Sequence, residues 1–400
     1  MKKILALLIA SAMILTIVPA ISAEYGDDME RSDSWGPSAP IYTEVTVAGG
    51  STSDPTPFIK YKWELVEELD DCSPSLVNDD PDHDYLSVAL NPGGTRTIHY
   101  FAIVKKTTYD ISHVYADVWH PDKTFKYQIQ LTKLSLNDGI SAWNYVTTNY
   151  PEVLNKNGKL TEDWAATLEE LQQEDAFVYE GEAELSYCQP AGWYTVCVRA
   201  VDSHGGWSDP LWNWFWYIPT ASIELDFDTI LYGSAPECEW KWVSGDTTFD
   251  SMSGIGPNAN PPTVRNIGNV PVVLRFQQDD MGFGKTYTGT GPDDWYWNVK
   301  FDARLGDAVY AVSEGRQVEY EPGELSDAVG TLSMCTQDKL DFSIHIIKGT
   351  SGETYSGNLF IYAYTDTINY GSGPYPTSPY GPFYGEQAPT GTPVPTQYEP

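Results

Sequence analysis

The chain has 400 residues, with 23 Lys and Arg against 56 Asp and Glu and a formal net charge of −33 at pH 7. That length gives room for two or three domains, each able to bury a core without metals or disulfides to hold it. The acidic surplus repels nucleic-acid phosphates and anionic lipid and so excludes nucleic-acid binding, while it attracts divalent cations and suits an exported, soluble protein.

Residues 1–23 read as a secretory signal: Lys2 and Lys3, an apolar run over 4–18, and a small-residue exit ending at Ala23. The run, roughly fifteen residues, falls short of the about 20 that a membrane span needs. No later stretch is more apolar, so the mature chain is expected outside the cell or at its surface, without a membrane span. Residues 24–40 form a polar, flexible leader.

From 41 to 218 short strands alternate with turns. In FIKYKWELV the periodicity places Tyr61, Trp63 and Leu65 inward and Lys60, Lys62 and Glu64 outward. The acidic segment 78–84 follows, then TIHYFAIV, HVYADVW and FKYQIQLTKL. The period changes over about 141–173, which reads as a helical insertion. Within it, 161–173 is capped by Thr161 and carries Trp164, Leu168 and Leu171 on one stripe. AFVYEGEAELSY returns to strand, with its glutamates outward. The domain closes on a hairpin: Tyr194, Val196, Val198 and Ala200 share one parity, a turn runs over 202–206, and an aromatic strand follows. That strand carries Trp212, Trp214 and Trp216 on one face and Phe215 and Tyr217 on the other.

Residues 219–367 repeat the style with short strands punctuated by Gly, Pro and Asn, and indicate a second sandwich. Residues 368–400 are a Tyr/Pro/Gly/Thr tail, expected to be extended or disordered. The expected fold is thus mainly β: two tandem immunoglobulin-like β-sandwich domains, the first with a helical insertion, and a disordered C-terminal tail.

The segment PAGWYTVCVRAVDSHGGWS resembles the penultimate strand and turn of immunoglobulin-like domains of the PKD and fibronectin type III kind. Gly192 and Tyr194 match the start of that strand, and Ala200 and Asp202 its exit. PTVRNIGNVPVVLRF is similar to an Asn-x-Gly-Asn strand pair of exported archaeal and bacterial surface domains. Across 58–365, KYKWEL, VYADVWHPD, WVSGDT, TVRNIGNV, DDMGFGK and KLDFSIHIIKGT resemble secreted cell-surface proteins of methanogenic archaea, of the sheath or S-layer type. The resemblance implies an extracellular structural protein and transfers no catalytic residue.

The cysteines, at 72, 188, 197, 238 and 335, contain no CxxC and read as disulfide candidates in an exported chain. Cys197 has the outward parity of Thr195 and Arg199, and Cys188 that of Glu182 and Glu184. The two pair if their strands are neighbours, with Cys72 to either of them as the rival. Cys238 and Cys335, alone in the second domain, are expected to pair, a loop worth roughly 4–5 kcal/mol.

Asp79, Asp80, Asp82 and Asp84 offer hard oxygens for a surface Ca²⁺ clip, without the Gly and terminal Glu of an EF-hand; a solvated acidic loop is the alternative. Asp279 and Asp280 are a weaker pair. No GxSxG, HExxH or Walker spacing occurs, and His204 beside Asp202 and Ser203 reads as a turn. Trp207, Trp212, Trp214 and Trp216 are the candidate binding face. No Asn-x-Ser/Thr sequon occurs. The expected function is a secreted, non-enzymatic structural or adhesive surface protein. Its partners would be copies of itself, other envelope proteins or polysaccharide, with no cofactor beyond calcium. A carbohydrate-binding module is the alternative, and a secreted hydrolase a third reading.

Overall fold

Alternating side chains over Phe58–Val66 (β1), Thr95–Lys105 (β3), Ile111–Trp119 (β4), Phe125–Lys133 (β5), Ala176–Ser186 (β7), Gly192–Asp202 (β8) and Leu211–Tyr217 (β9) build the first layered core. The computed structural model describes residues 56–66, 86–156, 163–250, 261–289, 291–306 and 315–365, all within the same contact unit. The signal, leader, acidic segment, Cys72 and tail lie outside the described residues.

With the short strands Leu86–Val88 (β2) and Asn155–Lys156 (β6), the sheet order is β2-β9-β8-β4-β5-β7-β3-β1-β6. Strand β5 pairs with β4 along most of its length and with β7 at Thr132 and Lys133, so the sheet folds over on itself there. The two halves enclose Ile98, Tyr100, Ala102 and Val104 on one side and Tyr194, Val196, Val198, Phe215 and Tyr217 on the other. Tyr194 OH donates to the Pro190 carbonyl at 2.8 Å, the corner bond typical of Greek-key sandwiches. Asp202 Oδ1 accepts from the backbone N–H groups of His204 and Gly206, at 2.9 and 2.8 Å, which makes the 202–206 segment the turn its residues suggest.

The helical insertion is present and starts earlier than its periodicity suggests. Helix α1 (Leu136–Asn149) is capped by Ser135, whose side chain accepts from Asp138 N at 3.2 Å. Helix α2 (Trp164–Gln172) is capped by Asp163 rather than Thr161, and buries Thr167 and Leu171 while Trp164 is exposed. Both helices lie on the outer face of the β1-β3-β7 half-sheet. Trp143 sits there 5.0 Å from the Tyr61 ring and 6.2 Å from Trp63, which stacks on Phe101.

This cover overturns the reading of β1 as a half-buried strand. Tyr61 and Trp63 face the helices, so Lys62 and Glu64 point between the sheets, where each is almost fully buried. Lys60, displaced by a bulge between Ile59 and Tyr61, pairs with Glu170 of α2, which also receives Lys105 at 2.6 Å.

The second core lies between two further sheets. One runs β10-β12-β19-β16-β17, from Ile223–Leu225 (β10), Thr263–Asn266 (β12), Gln337–Ile346 (β19), Val299–Leu305 (β16) and Gln317–Tyr320 (β17). Trp240–Val243 (β11) pairs with the far end of β19. The other sheet is β18-β13-β20, from Val329–Leu332 (β18), Val272–Gln278 (β13) and Leu359–Thr365 (β20). Val272, Leu274, Phe276, Phe301, Leu340 and Phe342 fill the space between them.

The Asn266–Asn269 turn fastens this core to the first. Asn269 accepts from Thr220 N at 2.7 Å and donates to the Ile218 carbonyl at 2.9 Å, while its own carbonyl receives Ala191 N at 3.1 Å. A Cβ on Gly268 would stand 2.4 Å from the Thr220 carbonyl, so the close approach of the two segments requires glycine there.

A disulfide crosses the same seam: Cys188 is bonded to Cys335, with Cα atoms 4.9 Å apart. The expected pairs Cys238–Cys335 and Cys188–Cys197 are therefore both wrong, and Cys197 and Cys238 form no disulfide among the described residues. Cys188 lies beyond the end of β7 at the seam, where Cys335 comes within reach from the turn before β19. Cys197 sits inside β8, where its cross-strand neighbours are Asp117 of β4 and Trp212 of β9.

Candidate functional site

The outer face of the β9-β8-β4 half-sheet is aromatic because the core takes the other parity. Leu211, Phe215 and Tyr217 point into the core, which leaves Trp212, Trp214 and Trp216 outside and half-buried. Register places Trp216 beside Trp193, Trp214 beside Thr195, and Trp212 beside Cys197. The ring centroids of Trp193 and Trp216 are 4.9 Å apart and those of Trp119 and Trp212 5.3 Å, with Phe125 edge-on to Trp119. Trp207 stands at the other end of the face, exposed, with the Arg199 guanidinium 5.7 Å above its ring. The structure thus brings Trp212, Trp214 and Trp216 together and keeps Trp207 apart.

Beneath these rings lies a closed polar layer. Asp117 is fully buried and takes Arg199 Nη2 at 2.8 Å and Gln128 Nε2 at 3.0 Å. Cys197 lies between Asp117 and Trp212 in register. Burial pushes its thiol up to about 12, more than the neighbouring Arg199 can offset, and a thiol so protonated is a poor nucleophile. Cys238, exposed and in a left-handed conformation at φ 65°, has no such cover. A maleimide should therefore label Cys238 in the native protein and leave Cys197 unmodified until the chain is unfolded, which peptide mass mapping would read directly. Rapid native labelling of Cys197 would contradict this packing.

Two exposed surfaces of the second core escaped the sequence reading. The hairpin of Lys285–Tyr287 (β14) and Trp295–Trp297 (β15) holds Tyr287 and Trp295 5.0 Å apart, with Trp295 54% exposed. Lys285, Pro292, Asp293 and Trp295 line a shallow, open depression on it. The second surface is β20, which turns Leu359, Ile361 and Ala363 toward the core and Phe360, Tyr362 and Tyr364 to solvent. Among the described residues β20 pairs only with β13, and no other described strand uses the backbone donors and acceptors of its second edge. The signal was the strict alternation in LFIYAYT, whose outward residues are aromatic where a solvated edge carries charge.

The acidic residues Asp79, Asp80, Asp82 and Asp84 lie outside the described residues. Asp279 and Asp280 serve local structure. Asp279 accepts from Met281 N and from Asn358, and Asp280 from Gly282 N and Gly284 N, shaping the turn that stacks Phe283 on Tyr355. No group of three or more His, Cys, Asp or Glu with metal-binding geometry occurs among the described residues, and no helix among them is long and apolar enough to cross a membrane.

No protein-family model and no curated protein matches the chain. Solved structures do show a likeness. The C-terminal domain of the AgI/II polypeptide BspA of Streptococcus agalactiae matches with 9% identity and a TM-score of 0.21, over 78% of this chain and 96% of that one. Alpha-2-macroglobulin of Escherichia coli matches with 10% identity and a TM-score of 0.17, over 76% of this chain and 20% of that one. At these scores neither likeness adds to what the sheets themselves establish, a mainly β chain.

One polar group inside the first core also went unread. Asn213, on the inward parity of β9, meets Lys62 and Glu64 of β1. An asparagine among core-facing aromatics needs buried partners, and that mismatch was visible in LWNWFWY.

Proposed function

We propose that this is an exported, non-enzymatic surface protein that assembles with copies of itself through the open edge of β20 and its aromatic outer faces. In this reading the two cores are tandem immunoglobulin-like sandwiches, a view supported by the Tyr194 corner bond. The carrying observation is the β20 edge: seven residues long, unpaired on one side among the described residues, and bearing Phe360, Tyr362 and Tyr364 in solvent. Natural sheets blunt such edges with charge or bulges, and one that is long and aromatic is suited to strand addition. The net charge of −33 would oppose self-association. Divalent cations, held by the segment with Asp79, Asp80, Asp82 and Asp84, would screen that repulsion, and calcium is the ion expected.

Lysine at Phe360 and Tyr362 should abolish ordered assemblies seen by electron microscopy in calcium, while leaving the far-ultraviolet circular dichroism unchanged. Assemblies that survive both substitutions would place the contact elsewhere. A second reading rests on Trp295: an exposed indole beside Asp293 and Lys285 has the composition of a sugar platform. Glycan-array binding lost in Trp295→Ala would favour it.

A further inference from the structure

Lys62, Glu64 and Asn213 meet between the sheets of the first core, where Lys62 is 0% and Glu64 1% exposed. The Lys62 ammonium contacts the side-chain amide oxygen of Asn213 and lies 2.7 Å from Glu64 Oε1 and 3.4 Å from the Val196 carbonyl. Asn213 Nδ2 lies 2.5 Å from Glu64 Oε2. One carboxyl group thus touches both nitrogens, one through each oxygen, while the amine contacts the oxygen of the same side-chain amide. Burial holds the Lys62 amine below the ordinary lysine range, against the opposing pull of Glu64, so the neutral, nucleophilic form is more accessible than in water. A buried ion pair is weak evidence for stability, and this one is arranged as a reaction centre.

We infer that Lys62 and Asn213 become joined by an isopeptide bond, formed by the chain on itself with Glu64 as the proton relay. The lone pair of Lys62 Nζ attacks Asn213 Cγ and forms the new C–N bond. Glu64 takes the proton released from Nζ and passes it to Asn213 Nδ2. The Cγ–Nδ2 bond breaks and its electron pair leaves on nitrogen as ammonia. One amide replaces another, so no oxidant, reductant or water is consumed. Held contact between the reacting groups supplies the effective concentration that such an exchange lacks in solution.

The bond would tie β1 to β9, the first described strand of this core and the last, closing a ring across 151 positions of sequence.

The test is peptide mapping of the folded, wild-type chain after reduction, alkylation and trypsin. The expected product is one branched species, lighter than its parts by one ammonia, that joins residues 61–96 to residues 200–241 with no cleavage after Lys62. In denaturing, reducing gels the wild type should run ahead of Glu64→Gln, whose digest should be cut after Lys62 and contain the separate linear peptides 63–96 and 200–241. A wild-type digest with cleavage after Lys62 and Asn213 in a linear peptide overturns the bond. A branched peptide that persists in Glu64→Gln overturns the relay. If Glu64→Gln does not fold, the wild-type digest decides alone.

Discussion

Cys188→Ser with Cys335→Ser should lower the unfolding free energy by about 5 kcal/mol, the loop-closure entropy of a bridge spanning 147 positions. In the chain-entropy picture the loss comes chiefly from a freer unfolded chain. Urea titration of the oxidised protein and of the double variant, each followed by tryptophan fluorescence and circular dichroism, measures it. The bridge also couples the two cores, so its removal should separate probes that coincide in the wild type. Wild-type protein should move toward the double variant when dithiothreitol is added. A variant within 1 kcal/mol of wild type would mean that the bridge across the seam does not form.

Trp143→Ala should cost about 3–5 kcal/mol, the usual range for a large aromatic removed from a packed interior. Trp143 is the centre of the helical cover: it is 1% exposed, touches the rings of both Tyr61 and Trp63, and shares its cluster with Val146, Val153 and Leu171. Without it the outer faces of β1 and β3 lose their lid. The expected signature is a lower urea midpoint together with loss of near-ultraviolet dichroism from the Trp63–Phe101 stack. Unchanged stability would show that the helices are dispensable to this sheet.

Much of the β framework was legible because each strand repeats every second residue. The parity of Tyr194, Val196 and Val198, and that of Trp212, Trp214 and Trp216, came directly from the alternation. The 202–206 turn was equally readable, since Asp202 and two glycines have few other uses in that order. The reading failed where one strand answers to two layers. The alternation in β1 is real, but a helix pair covers the Tyr61 and Trp63 face while the facing half-sheet covers the other, so its polar residues are enclosed rather than solvated. The start of α1 was missed because Ser135 and Asp138 form a cap, a signal carried by hydrogen bonding and not by apolar spacing.

Disulfide pairing failed for a different physical reason. Parity and domain membership constrain neighbours within a sheet, whereas Cys188 and Cys335 meet at a seam set by the Asn266–Asn269 turn. The exposed aromatics of β14, β15 and β20 were likewise invisible as a surface, because exposure depends on which sheet stays uncovered.

Sedimentation velocity of the mature, oxidised chain over a wide concentration range, with calcium and with chelator, tests the proposed assembly most directly. Species larger than one chain are expected, growing with concentration in calcium and shrinking when the ion is removed or when Phe360 and Tyr362 are replaced by lysine. A single monomeric boundary at every concentration, with and without calcium, would contradict it.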